Sequence, residues 1–190
     1  LWEEEGGYLL PERANAAHLK LAKAAGARIM TGRKVVGVEP RTGHVRIVMD
    51  DGWVEAGSVV LAAGPWMADL VPPLAPLLGL SRQVLCWFEP LEPALFRPGA
   101  LPVFAVEGEE DIVYGFPDFA GTGFKVASHF AGEAISHADA PRRPAQSEDA
   151  AAIRGFLQRY IPAGAGRLLA MKTCIYTNTP TGDFIIDHVP

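Results

Sequence analysis

The run Ser58-Val59-Val60-Leu61-Ala62-Ala63-Gly64-Pro65-Trp66 constrains the fold more than any other stretch of the chain. Its apolar residues are continuous rather than alternating. A strand with that pattern is buried on both faces, which happens chiefly in parallel sheets covered by helices. The run therefore predicts an α/β architecture. It ends in small residues and a glycine. In open α/β sheets, ligands lie just beyond the carboxyl ends of the strands. Small residues there let the backbone approach a ribose or phosphate closely. An ordinary strand-to-helix turn has the same spacing, and spacing alone leaves both readings open.

The preceding residues fit the same class. Residues 15–25 are Ala-rich, with Ala17, Leu21 and Ala24 at helical spacing. Pro11 suits the approach to the helix and Gly26 its stop. Short strands are predicted over residues 27–30, 34–39, 45–49 and 54–56. Arg41-Thr42-Gly43-His44 and Asp50-Asp51-Gly52 provide the turns of a small antiparallel meander. The chain changes character after the Pro-rich residues 71–76. Strands are predicted over residues 82–88, 101–106, 111–116 and 124–129. A helix over 148–160, with Ser147 as cap and Pro162 beyond its end, precedes a final strand over 167–177.

Composition excludes several functions. The 190 residues are 49% hydrophobic, enough for a sizeable core in one or two domains. A net charge of −5 gives no basic footprint for nucleic acid. No apolar run is long enough to span a bilayer and no signal-peptide pattern is visible, so no membrane partner is expected. Two distant cysteines, Cys86 and Cys174, form neither a disulfide framework nor a zinc site. A reducing, cytoplasmic setting is the corresponding expectation.

Cys174 lies in Met171-Lys172-Thr173-Cys174-Ile175-Tyr176-Thr177. On a strand, Lys172, Cys174 and Tyr176 share one face. Lys125 and His129 are four apart and share a strand face with Ala127 between them. An amine, a thiol, an imidazole and phenols, with Tyr114 added, invite a catalytic reading. Each also has a plain one. Cysteine is commonly a small buried hydrophobe. A strand lysine commonly points to solvent, and a strand-end tyrosine is commonly a packed ring with a wet hydroxyl. Nucleophile elbow, phosphate loop and metal-ligand spacing are all missing from the sequence. Spacing by itself stops at an α/β domain followed by an antiparallel sheet.

The order of the motifs goes further. Arg82-Gln83-Val84, Tyr114-Gly115-Phe116-Pro117, Gly123-Phe124-Lys125 with His129, and Cys174-Ile175-Tyr176-Thr177 followed by Phe184-Ile185-Ile186-Asp187 occur in sequence. In this the chain resembles the monomeric sarcosine oxidase and N-methyltryptophan oxidase family of FAD-dependent amine oxidases, from Gly7 through Asp187. The resemblance implies a mixed α/β fold. Residues 1–79 would be part of a Rossmann-like FAD-binding domain. Residues 80–180 would form a largely antiparallel substrate-binding domain, and residues 181–190 would begin the return to the first. It also implies roles. Cys174 matches the cysteine that carries the flavin as a thioether. Lys125 matches the lysine beside the flavin that activates dioxygen. His129, Tyr114 and Tyr176 match residues lining the substrate cavity. Val35 corresponds to the position whose backbone meets the adenine, and Ala63 and Gly64 to the loop near the ribose and phosphates.

The implied activity is oxidation of a secondary amine to an imine, with dioxygen reduced to hydrogen peroxide, in a protein that is monomeric at full length. Sarcosine, larger N-methyl amino acids and cyclic amino acids such as pipecolate are compatible substrates. A dehydrogenase with another electron acceptor and a non-catalytic binding module of the same fold are the alternatives. The family's Gly-x-Gly-x-x-Gly loop has no counterpart here, so the chain reads as an internal fragment expected by itself to hold FAD weakly or not at all. Cys86 is expected in the core, and Trp87 and Phe88 are expected to pack. Ala105, where the family pattern suggests a bulkier residue, implies a roomier cavity.

Overall fold

A computed structural model describes residues 3–108, 111–130, 132–140 and 143–189. Leu1, Trp2 and Pro190, at the outer ends of the predicted segments, lie outside the described residues. The chain divides into two compact units. One joins residues 3–8 to Leu80–Asn178; the other joins Leu9–Gly79 to residues 179–189.

The second unit begins with helix α1, Pro11–Ala24, which starts at Pro11 itself rather than at the expected residue 15, because proline fits the first turn of a helix. Gly26 ends it with a φ of 91°, a left-handed conformation that a side chain would resist. The meander follows as β1 (Val35–Arg41), β2 (His44–Met49) and β3 (Gly52–Ala56), an antiparallel sheet in that order. Met49 pairs with Gly52 across the Asp50-Asp51 turn. Arg46 reaches the Glu55 carboxylate on the neighbouring strand at 2.9 Å, and its guanidinium stands 4.4 Å from the Trp53 ring centre.

Two predicted strands of this unit are corrected. Residues 27–30 and 58–63 run without ladder partners, and Gly64–Trp66 is a 3₁₀ turn leading into α2 (Met67–Leu70). Val60, expected to be buried on both faces, is 91% exposed. The reason is physical. An apolar run becomes a strand only when neighbours take up its N–H and C=O groups. Among the described residues no neighbouring strand does so, and Ala63 bonds instead into the turn that follows.

The first unit is a six-stranded sheet in the order β5-β6-β7-β4-β8, with β9 also pairing to β4. Its strands are β4 (Gly79–Phe88), β5 (Phe104–Glu107), β6 (Ile112–Phe116), β7 (Phe124–Ser128), β8 (Glu133–Ile135) and β9 (Leu168–Asn178). The pairs β5–β6, β6–β7, β4–β7 and β4–β8 are antiparallel. Short α3 (Pro93–Phe96) precedes β5. Helix α4 is Ala151–Tyr160, after a 3₁₀ turn over Ser147–Ala150. The predicted Ser147 cap is corrected. Gln146 stands at the cap, its N–H donating to the Asp149 carboxylate at 2.8 Å. An acceptor that reaches back satisfies a donor the helix leaves orphaned.

Register sorts this sheet into two faces, because directly opposed residues share a face. Cys86 opposes Val126 and Phe88 opposes Phe124. That face is the core, closed by Phe96 and by Ile153 and Leu157 of α4. Cys86 and Phe88 are fully buried, as the sequence implied. Burying Leu157 completely stabilises by about 1.5–3 kcal/mol. The other face carries Leu85, Trp87, Tyr114, Phe116, Lys125 and Ala127 in register.

Candidate functional site

The non-core face gathers the chemistry. Tyr114 on β6 opposes Ala127 on β7, and Phe116 opposes Lys125. His129 follows β7 by one residue, and its N–H donates to the Ile112 carbonyl at 2.8 Å. Its ring centre lies 6.3 Å from that of Tyr114 and 5.6 Å from that of Tyr176. The two phenols share a hydrogen bond of 3.1 Å, which joins β6 to β9. Burial first, and the bond to Tyr176 second, push the Tyr114 hydroxyl well above its ordinary range. Tyr114 is therefore a neutral phenol at neutral pH, able to donate and accept.

Cys174 lies on β9 two residues from Tyr176, half-buried and unpaired in any disulfide. Burial raises its thiol, and the Lys125 charge pulls the other way. Lysine, thiol, imidazole and both phenols thus meet on one face of one sheet. Lys172, predicted to share a face with Cys174, is exposed. Met171, on the opposite side of β9, packs against the core. A two-residue period on one strand thus divides the core from the site.

Further residues border these groups: Trp87 and Ala105, expected to pack and to widen the cavity, and Asp111, to which the sequence assigned no role. Trp87 opposes Lys125 from β4, and the Lys125 ammonium stands 5.4 Å from its ring centre and 4.9 Å from that of Phe116. The Asp111 carboxylate accepts the Ser128 hydroxyl and the N–H groups of Ile112 and Phe130, each N–H at 2.8 Å. It pins the segment that presents His129. Burial acts to raise that carboxyl, and the hydrogen bonds from Ser128, Phe130, Ile112 and His129 outweigh it and hold it below the ordinary range. Gly115 lies under the Phe104 ring, where a Cβ would stand 2.5 Å from a ring carbon. That close approach explains glycine between Tyr114 and Phe116. Ala105 opposes Tyr114 and is exposed, so a small side chain borders the phenol.

In the other unit, Val35 pairs with Met49 next to an irregularity in the ladder. The Ala63 carbonyl accepts the Trp66 N–H at 3.1 Å. Gly64 has a φ of 53°, with open space where a side chain would project. Among the described residues no cluster of His, Cys, Asp and Glu could hold a metal ion, and no helix is long and apolar enough to cross a membrane.

The sheet thus carries an apolar face under one helix and a thiol–amine–phenol face opposite. The chain belongs to the DAO family of FAD dependent oxidoreductases, whose family model matches residues 1–190. It is 35% identical over 193 residues to monomeric sarcosine oxidase of Bacillus sp. (strain NS-129), covering 100% of this chain and 50% of that protein. It is 32% identical over 195 residues to N-methyl-L-tryptophan oxidase of Yersinia pestis (strain Pestoides F), again covering 100% and 50%. The chain thus spans about half the length of these curated relatives. Among solved structures, the fructosyl amine:oxygen oxidoreductase Amadoriase I of Aspergillus fumigatus superposes with a TM-score of 0.75 at 24% identity. That match covers 97% of this chain and 45% of the other.

Proposed function

We propose that this chain is the substrate-facing portion of an oxidase that converts a secondary amine, of the N-methyl amino acid type, to an imine while dioxygen becomes hydrogen peroxide. The observation that carries the reading is the convergence of Lys125, His129, Tyr114, Tyr176 and Cys174 on one sheet face. Tyr114 and Tyr176 are joined at 3.1 Å there. Residues 1–79 and 181–190 belong in this reading to the FAD-binding domain, and residues 80–180 to the substrate-binding domain.

The residues present fit the flavin. A half-buried thiol beside an ammonium is the donor set a thioether tether needs. Cys174 would hold the ring covalently, and Val35, Ala63 and Gly64 would hold the adenine, ribose and phosphate side. Bound FAD supplies the two-electron chemistry between amine and dioxygen. Lys125 supplies fixed positive charge where negative charge develops on oxygen. His129 and the hydrogen-bonded pair Tyr114–Tyr176 orient the amine, and the exposed Ala105 beside Tyr114 gives room for more than a single methyl group.

The test uses the full-length protein. Acid precipitation is expected to leave yellow colour with the protein, and colour in the supernatant would remove the Cys174 tether. In Lys125→Met, anaerobic flavin reduction by amine is expected to survive while reoxidation by oxygen slows by orders of magnitude. Unchanged reoxidation would take Lys125 out of the oxygen step. Amine-dependent reduction without peroxide would assign a dehydrogenase instead.

A further inference from the structure

We infer that Trp87 and Phe116 are positioning residues for Lys125, two aromatic faces between which its ammonium is held on the site side of the sheet. The register makes the arrangement. Trp87 on β4 opposes Lys125 on β7 from one side, and Phe116 on β6 opposes it from the other. The side chains of three adjacent strands therefore stand in one row across the sheet. The ammonium lies 5.4 Å from the Trp87 ring centre and 4.9 Å from that of Phe116. Both fall within the range of about 6 Å in which the negative face of an aromatic ring attracts a cation.

A lysine has a long, flexible stem and a strongly hydrated head. A lone strand lysine would sweep a wide volume. A site that stabilises charge does so only if the charge is already in place, because reorganisation during the reaction forfeits the gain. Two rings on either side of the side chain restrict where its head can stand. Tryptophan gives the strongest such face, which explains a bulky aromatic at position 87 on the side of the sheet away from the core. Phe88, the next residue, points into that core and is fully buried. The pair Trp87-Phe88 therefore divides between site and core by the two-residue period of the strand.

This inference rests on the oxygen role proposed for Lys125, and its test separates the two. The chain is labelled with ¹³C-lysine, and the Lys125 ε-methylene signal is identified by its absence in Lys125→Met. Ring currents are expected to move that signal upfield of those of Lys20, Lys23, Lys34 and Lys172. In Trp87→Leu the signal is expected to return toward the others, and in Trp87→Phe, which keeps a ring, most of the shift is expected to remain. An unshifted Lys125 signal in the parent chain, or a shift that survives Trp87→Leu, overturns the clamp without reference to any flavin. In the full-length, flavin-loaded protein, Trp87→Leu is expected to slow reoxidation by oxygen at least tenfold more than reduction by amine. Equal slowing of both steps overturns the positioning role even if the Lys125 assignment stands.

Discussion

Replacing Arg82 with methionine removes the most connected buried cation of the first unit while keeping much of its apolar stem. The Arg82 side chain is 3% exposed. Its Nε donates to the Arg143 carbonyl at 2.8 Å, and one terminal nitrogen donates to the Pro144 carbonyl at 3.2 Å and to Asp149 at 3.0 Å. The other terminal nitrogen reaches Asp149 at 3.3 Å. The fork thereby ties β4 to the segment that leads into α4. Asp149 keeps the Arg143 guanidinium at 2.7 Å, so the loss falls mainly on the Arg143 and Pro144 carbonyls left without their donor, and is expected to cost about 1–3 kcal/mol. With a urea slope of about 2 kcal/mol per molar, the unfolding midpoint is expected to fall by about 0.5–1.5 M at unchanged slope. Arg82→Lys restores charge but not the planar fork, and is expected to recover only part of the loss. A double-mutant cycle with Asp149→Asn is expected to give a coupling of about 1–3 kcal/mol. A midpoint within about 0.3 M of the parent, or an additive cycle, would refute the claim that this network locks the helix start to the sheet.

Other outcomes follow from the same geometry. The guanidinium groups of Arg143 and then Arg82 hold the Asp149 carboxyl well below the usual carboxylate range. A depressed folded value means stability that is complete above the ordinary value of 3.8 and is lost as pH falls from there toward the folded value. The urea midpoint of the parent is expected to drop between pH 5 and pH 3 more steeply than that of Asp149→Asn, and parallel curves would contradict this. Asp111→Ala strands the donors of Ser128, Ile112 and Phe130 and is expected to cost about 1–3 kcal/mol, read by thermal unfolding. In flavin-free folded chain, iodoacetamide at pH 8 is expected to modify Cys174 before Cys86, read by peptide mass mapping. Cys86 is fully buried, and burial, with Asp149 nearby, pushes its thiol up to about 11. Equal labelling rates would show that the core face is open.

β4, β6, β7, β9 and part of β5 were legible from their apolar runs and alternation, whereas the short β8 was not read from the sequence. Phe124-Lys125-Val126-Ala127-Ser128 sends phenylalanine and valine to the core and lysine to the site, and a period of two is local information. Residues 58–63 were misread because a buried strand is defined by its neighbours, and apolar content does not supply them. The Ser147 cap was misread for a related reason. Asp149 reaches back to Gln146 while Arg82, distant in sequence, donates to the same carboxylate.

The amino-acid sequence by itself determined the meander, the α4 helix, the two-faced pattern of β4, β7 and β9, and the identity of the chemical groups at Lys125, His129, Tyr114, Tyr176 and Cys174. These follow from turn residues, helical spacing and alternation, all of which act over a few neighbouring positions. Only the tertiary structure decided which of those groups meet. Antiparallel register put Trp87 and Phe116 on either side of Lys125, and the pairing of β9 with β4 accompanies the meeting of the Tyr176 and Tyr114 hydroxyls. Register is a long-range property. It is set by which apolar faces must be buried together, and a slip of one residue would have sent the thiol and the ammonium into the core.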